Sequence, residues 1–483
     1  MIKNKPFIGR KNELLRLKAL YERKTPSLAV IKGRRRVGKS RLITEFAAQQ
    51  KQSRFFSVTG LAPQDEITAQ MQRDHFGKQL SHYLKIPPMT FQDWTDAFNH
   101  LSLCLQQGDI VLFDEISWMG AKDPTFVPKL KAWWDLQKSN ILLVLCGSVS
   151  TWIEDNIINS TAFFGRISLT LTLDPLSIPE SAELLRVLGF KASPFDMYKF
   201  LSVVGGVPWY LEQIDPRITI DENIKQLCFQ KDGLLVLEFD RMFHDLFNGK
   251  GSTYKNILNA LKEGMKTLSE IREEIGYAAS GTLSHMIKHL MTAGFIKEYR
   301  QWSIKTENPL KKNLYRIYDP YIRFYLKVIE PNRSKIEGGF FEDIDIGQLP
   351  GFESHMGLQM ETLLLQNRSL LLKSMGINPG ECRWEGPYRQ TKTVRTKGCQ
   401  IDYLVQTRTK NLFLCEFKFK RRELGSEIID EVQEKKERLS IPRGFAIVPV
   451  LFHLGGVSES VYDRDYFYRI IESADFLEKL DLS

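Results

Sequence analysis

An apolar strand that runs without a break into a glycine-bounded basic loop and then a helix restricts this chain more than any other feature. Ser27-Leu28-Ala29-Val30-Ile31-Lys32 predicts a buried strand. It leads at once into Gly33-Arg34-Arg35-Arg36-Val37-Gly38-Lys39-Ser40, and Leu42, Ile43 and Phe46 then recur at helical spacing. The loop has the spacing G-x-x-x-x-G-K-[ST], in which the glycines let backbone N–H groups curl inward around phosphate and the helix start adds positive dipole. The stretch from Gly33 through Arg41 is therefore the expected phosphate cradle. Lys39 would reach the β- and γ-phosphates and the Ser40 hydroxyl a magnesium ion, making ATP and Mg2+ the expected cofactors. Arg34, Arg35 and Arg36 fit either a nucleic-acid patch or a basic loop beside a nucleotide.

The metal-side acid should come from a second strand. Asp109-Ile110-Val111-Leu112-Phe113-Asp114-Glu115 supplies an apolar run ending in two carboxylates, at the strand end where open α/β sheets bind ligands. Asp114 would hold the metal and Glu115 polarise the attacking water as general base. A third strand, residues 141–146, ends at Gly147-Ser148. Ser148 either orients that water or serves turn chemistry. Arg166 either reaches a neighbouring nucleotide, which requires self-association, or makes a surface ion pair.

Charge becomes informative only when it is located. The chain of 483 residues has 67 Lys plus Arg against 58 Asp plus Glu, a net +9 that permits a polyanionic partner without demanding one. Residues 250–330 hold 14 basic against 8 acidic residues, so most of the surplus sits there. The same stretch predicts helices over 254–261, from 267 and over 282–292, with a turn at 277–281, and then strands from 294 and 313. Three helices followed by a two-stranded ribbon is the winged-helix pattern, whose third helix enters the major groove of DNA. On that helix Ser284, His285, Lys288 and His289 are expected to face outward. The two histidines, four apart, could hold a metal, but no further ligand is evident nearby and solvent exposure is the plainer reading. Winged helices also dock proteins.

Six scattered cysteines without a Cys-x-x-Cys pair suit a reduced, cytoplasmic protein. Neither a secretory signal at the start nor an apolar run of spanning length is evident, so no membrane association is expected.

Beyond a linker at 331–345 comes a helix over 353–367, then a hairpin from Cys399-Gln400-Ile401-Asp402-Tyr403-Leu404-Val405 and Leu412-Phe413-Leu414-Cys415-Glu416-Phe417-Lys418. Alternation sets Glu416 and Lys418 on one face, and a suitable register brings Asp402 beside them. Asp402 and Glu416 could gather Mg2+ for phosphodiester cleavage, with Lys418 stabilising developing charge and Glu361 completing or buttressing the site. An exposed, ion-paired sheet face explains the same residues.

Phe7-Ile8-Gly9-Arg10, the phosphate loop, Leu-Phe-Asp-Glu, Leu-Cys-Gly-Ser, Phe-Gly-Arg and Gly205-Gly206-Val207-Pro208-Trp209-Tyr210-Leu211 occur in that order. Together they resemble the prokaryotic AAA-type ATPases related to the STAND signalling ATPases. That resemblance implies an ATPase core over 1–175 and a helical lid over 176–245, followed by the winged helix and connector over 246–330. Glu361, Asp402 and Glu416-Phe417-Lys418, then a helix with Gln433, Lys435 and Lys436, resemble the restriction-endonuclease-like PD-(D/E)xK fold over 346–483, with Ile401 where that motif has proline. The implied class is a multidomain α/β protein that hydrolyses Mg-ATP, binds DNA and cuts or grips it. The alternative is a STAND-type switch that releases its C-terminal parts to a protein or DNA partner without cleavage.

Overall fold

The computed structural model describes residues 6–62, 64–147, 150–247, 251–277, 281–341, 346–349, 352–394 and 396–478. Ser148, the turn residues Ala278, Ala279 and Ser280, and the end of the expected linker lie outside them. The chain divides into two compact units, Met1–Pro175 and Leu176–Ser483. The segments expected as lid, winged helix, linker and C-terminal domain all fall in the second.

In the first unit the apolar runs pair as one parallel sheet. Its strands are β1 (Ser27–Gly33), β2 (Phe55–Thr59), β3 (Ile110–Asp114), β4 (Leu142–Cys146) and β5 (Ile167–Leu173), in the order β2-β3-β4-β1-β5. Parallel neighbours need long crossovers, which the helices Lys39–Gln49, Ala69–Leu84, Trp94–Cys104 and Phe126–Asp135 supply. Leu28, Val30, Val111, Phe113, Leu143 and Leu145 pack on one face, and Ala29, Ile31, Ile110, Leu112, Leu142 and Val144 on the other. Burial on both faces is why these strands are unbroken apolar runs. Each fully buried Leu, Ile, Val or Phe contributes roughly 1.5–3 kcal/mol. The order β3-β4-β1 then sets Asp114, Cys146 and Gly33 side by side at the C-terminal ends of the three inner strands.

The second unit opens with helices Ile178–Val187, Pro194–Val204, Pro208–Leu211, Ile220–Cys228 and Leu234–Phe247. Ser177 and Glu180 form a capping box, and Ser193 and Thr219 cap the second and fourth helices. Gly206 explains the glycine pair of this region: a Cβ there would lie 2.0 Å from the Leu176 carbonyl oxygen, while Leu176 N donates to Gly206 O at 2.7 Å.

Helices Gly251–Leu261, Leu268–Glu274 and Gly281–Thr292 follow, with an antiparallel sheet of β6 (Lys266–Thr267), β7 (Ile296–Tyr299) and β8 (Leu314–Ile317) in the order β6-β8-β7. The expected ribbon has two strands. The third, β6, is two residues long and leaves no periodic trace. The expected linker is also partly structured. Arg333–Glu337 is helical with Ile336 buried, and the residues before it, Tyr321, Ile322, Phe324, Tyr325 and Leu326, are core. A single apolar anchor among Arg333, Lys335 and Glu337 is why composition there suggested a spacer.

The last sheet contains β9 (Cys382–Gln390), β10 (Cys399–Thr407), β11 (Asn411–Lys418), β12 (Ala446–His453) and β13 (Arg469–Glu472), in the order β13-β12-β11-β10-β9. β9, β10 and β11 are antiparallel; β11, β12 and β13 are parallel. The crossover from β11 to β12 carries the helix Glu427–Arg438, whose Ile428, Ile429 and Val432 pack with Leu404, Leu412 and Leu414. The helix Phe352–Gln366 is buried nearly all round, and its polar Gln359 and Thr362 both accept from Arg323, at 3.0 and 2.6 Å. A buried guanidinium is tolerable only with such partners.

Candidate functional site

β1 stops at Gly33, whose φ of 148° lets the chain turn where a Cβ would lie 2.5 Å from the Leu173 carbonyl oxygen. Gly38 caps the helix that begins at Lys39. The Lys39 ammonium is buried and donates to the carbonyl oxygens of Gly33 at 3.0 Å and Arg34 at 3.1 Å, so it lies over the loop it serves. Arg34 is buried and donates to Arg35 O, and Arg41 donates to Pro6 O at 2.8 Å. Arg35, Arg36 and Val37 complete the turn, in which Arg36 has a φ of 68°.

The Ser40 hydroxyl donates to Asp114 Oδ2 at 2.6 Å. These two oxygens, one from the first turn of the helix after the loop and one from the end of β3, are hard donors, so they fit a Mg2+ ion. Glu115 follows in the left-handed region at φ 47°, its N–H donating to Asp114 Oδ1 at 3.1 Å. A Cβ placed on Gly147 would lie 3.7 Å from Glu115 Oε2, so this carboxylate stands at the end of β4. Arg166 is held by Asp135, with a second bond of 3.1 Å from Nη2, and Nη1 donates to Phe164 O. Of the two expectations for Arg166, the ion pair is the contact present.

Two further residues belong to this site. Arg10, in the left-handed region at φ 60°, is buried and donates to Val37 O at 3.1 Å, bracing the phosphate loop from the start of the chain. Its motif, Phe7-Ile8-Gly9-Arg10, was visible in sequence, but not its contact. Cys146, at the end of β4, has its thiol pushed well up by burial and by the adjacent Asp114.

The second cluster forms on the last sheet. In the antiparallel register Tyr403 faces Cys415, so one further step sets Asp402 beside Glu416. The pairing of β10 with β9 shifts between Ile401 and Leu404, an irregularity of the kind that re-aims side chains next to sites. Lys418 contacts Glu416 at 3.2 Å and Glu431 at 2.6 Å. Lys435, from the helix Glu427–Arg438, contacts Glu416 at 2.5 Å and Asp402 at 3.8 Å. Phe417 N donates to Asp402 Oδ2 at 3.0 Å. Burial, then the charges of Glu416 and Glu361, push Asp402 up to about 7, with Lys435 opposing. Burial alone would lower the Lys435 and Lys418 pKa values, but the carboxylates around them hold both above the ordinary lysine value.

Asp402, Glu416 and Lys418 are thus together, as the hairpin suggested. Glu361 is turned instead to Arg316 of β8, at 2.5 Å, and reaches Asp402 through its charge. Lys435, which the resemblance named on its helix without a role, is brought against Glu416 and Asp402 by the crossing of that helix over the sheet. Among the described residues no group of three or more His, Cys, Asp or Glu side chains is arranged to hold a metal ion.

On the helix Gly281–Thr292, Ser284, His285 and Lys288 are exposed. His289 departs from expectation: it is half-buried, and its Nδ1 shares a hydrogen bond of 2.8 Å with the Tyr254 hydroxyl. A groove of about 560 Å3 beside this helix is lined by Ser284, Arg272, Lys311, Lys312 and Asn313. No helix among the described residues is long and apolar enough to cross a membrane.

Residues 7–214 match the family model described as an ATPase domain predominantly from Archaea. The N-terminal part of the chain is an ATPase domain. An uncharacterized protein of Methanocaldococcus jannaschii is 28% identical over 359 residues, 72% of this chain and 75% of that protein. Of solved structures, the Aeropyrum pernix ORC2 protein in ADPNP–ADP complexes is 14% identical over 68% of this chain and 94% of its own, with a TM-score of 0.43. The Thermotoga maritima RuvB Holliday junction branch migration motor is 17% identical over 60% and 90%, with a TM-score of 0.34. Overlaps this loose do not bear on what the chain does. The ATPase domain itself rests on the phosphate loop, the Ser40–Asp114 pair and the family match.

Proposed function

We propose that the chain is a DNA-associated ATPase whose C-terminal acid–lysine site cleaves DNA phosphodiesters. The observation that carries this reading is the meeting of Asp402, Glu416, Lys418 and Lys435 at one end of β10 and β11. Asp402 and Glu416 are hard oxygen donors held close together at electrostatic cost, and they fit a Mg2+ ion. When bound, that ion supplies a polarised phosphate and an activated water. Lys418 then faces the charge that develops on the phosphate, and Lys435 pairs with and orients Glu416. The antiparallel-then-parallel sheet with its crossover helix supports the likeness to the PD-(D/E)xK nucleases.

In the ATPase domain Lys39 and the loop amides hold the phosphates, Ser40 and Asp114 hold the magnesium of Mg-ATP, and Glu115 takes the proton of the attacking water. The three helices and small sheet of residues 251–317 act as a winged helix on DNA. Exposed Ser284, His285 and Lys288, with the basic groove of Arg272, Lys311 and Lys312, support that role.

The test is a cleavage assay on single- and double-stranded DNA with Mg2+ or Mn2+, with and without ATP. Cleavage should disappear in both Asp402→Asn and Lys418→Ala while ATP turnover persists. Cutting that survives both substitutions sinks the assignment. A second reading, a STAND-type switch that grips a DNA or protein partner without cutting, is favoured by the pairing of Glu361 with Arg316. Tight nucleotide retention, negligible turnover and no cleavage would mark it.

A further inference from the structure

A cavity of about 870 Å3 in the second unit belongs to neither the ATPase site nor the acid–lysine cluster. Its volume is in the range of ordinary small-ligand sites, ~300–1,000 Å3. One wall is a stripe of the helix Phe352–Gln366, where Phe352, Met356 and Met360 recur four residues apart. Phe195, from the helix Pro194–Val204, adds a second aromatic ring. The rim is the loop after β11, with Lys420, Arg421 and Arg422 in succession.

These three cations are exposed and have no carboxylate partner among the described residues. Lys418, two residues earlier, is by contrast fully engaged with Glu416 and Glu431. The loop is nonetheless anchored. Leu424 N donates to Gly456 O at 3.1 Å, and Ser458 N to Leu424 O at 2.9 Å. The Arg421 guanidinium lies 5.6 Å from the Phe195 ring centroid, extending the aromatic surface with a cation. A purely apolar ligand would leave three charges unmet, and a bare polyanion would leave the apolar wall of Met356 and Met360 unmet; Phe195 and Phe352 each already have a cation against one ring face, Arg421 and Lys199.

We propose that this cavity binds one nucleotide, its base against Phe195, Phe352 and Met356 and its phosphate on Lys420, Arg421 and Arg422. Stacking on aromatic and methionine side chains with a cationic rim is how single nucleotides are held with little sequence preference. The nucleotide is either a free nucleoside monophosphate or the 5′-terminal unit of a strand, since both present the same base and phosphate.

The experiment uses the full chain carrying Lys39→Ala, so that the phosphate loop does not contribute. Equilibrium dialysis measures dTMP, and fluorescence anisotropy measures a 5′-phosphorylated oligothymidine and the same oligonucleotide with an abasic first residue. The double variant Arg421→Glu/Arg422→Glu should weaken the bound probe at least tenfold, and Phe195→Leu at least threefold, with unchanged thermal midpoints. The abasic probe should bind at least fivefold more weakly than its parent. Binding of dTMP identifies a free nucleotide as the source, and binding of the oligonucleotide alone identifies a strand end. The proposal is overturned if neither probe binds. It is equally overturned if the charge reversal changes nothing, or if the abasic probe binds as well as its parent.

Discussion

Replacing Asp402 with asparagine should stabilise the second unit at neutral and alkaline pH. Asp402 is enclosed beside Glu416 and feels Glu361 as well, and together these push its pKa up to about 7. The gap from an ordinary aspartate at ~3.9 corresponds to roughly 4 kcal/mol, at ~1.36 kcal/mol per pH unit. The direction follows from proton binding. Below about pH 4 both folded and unfolded chains carry the proton and nothing is lost. Between about pH 4 and 7 the unfolded chain ionises while the folded one holds its proton, so stability falls through that window and the full cost stands above pH 7. Asparagine keeps the shape and can still accept from Phe417 N, and Lys418 and Lys435 keep Glu416. A buried amide costs ~1–3 kcal/mol of its own, which leaves a net gain of about 1–3 kcal/mol. Thermal unfolding at pH 5 and pH 8 reads this as a midpoint rise of several degrees at pH 8, at ~2–4 °C per kcal/mol, and no rise or a small fall at pH 5, where the amide cost offsets the ~1.5 kcal/mol then at stake. A variant less stable than the parent at pH 8, or a difference that does not grow with pH, would refute the electrostatic account. Added Mg2+ should raise the parent's midpoint more than the variant's, because the metal takes the charge that the fold holds at a cost.

The remaining predictions address the first unit and the packing around the glycine pair. Lys39→Ala should abolish ATP turnover, whereas Glu115→Gln should bind ATP normally and slow its hydrolysis about 100-fold or more, the scale of a lost general base. Arg10→Ala removes the brace on Val37 O, and it should raise the KM for ATP several-fold while leaving the fold's melting midpoint within a few degrees. Gly206→Ala forces a Cβ to 2.0 Å from Leu176 O and should cost at least about 2 kcal/mol, visible in urea unfolding; a neutral result would mean that the Leu176–Gly206 contact is loose.

The strands of the first unit were legible because burial on both faces leaves only apolar residues between turn signals, as in β1, β3 and β4. β5 was not placed: Ser168, Thr170 and Thr172 alternate with Ile167, Leu169 and Leu171, the pattern of a half-buried strand, and only its pairing with β1 assigns it to the edge of this sheet. The two-residue β6 and the five-residue helix Arg333–Glu337 are shorter than any periodic signal. Their existence depends on partners, β8 and the packing of Ile336, that lie elsewhere in the fold.

Site residues were legible where chemistry and spacing coincide in one segment, and their contacts were not legible where a helix supplies them from across a sheet. The phosphate loop is local, so Gly33 through Ser40 could be named outright. Lys435 is nineteen positions from Glu416, and only the β11-to-β12 crossover brings it to 2.5 Å. Arg316 likewise captures Glu361 across more than forty residues, which turns a residue expected to complete or buttress the metal site into half of an ion pair. The two sites also differ in what holds their acids. Asp114 accepts a neutral hydroxyl from Ser40, whereas Asp402 is surrounded by charges of both signs. An acid held by a hydroxyl suits a ligand that comes and goes with each ATP. An acid held at cost between Glu416 and Lys435 suits a site whose cation and substrate settle its charge only when both are present.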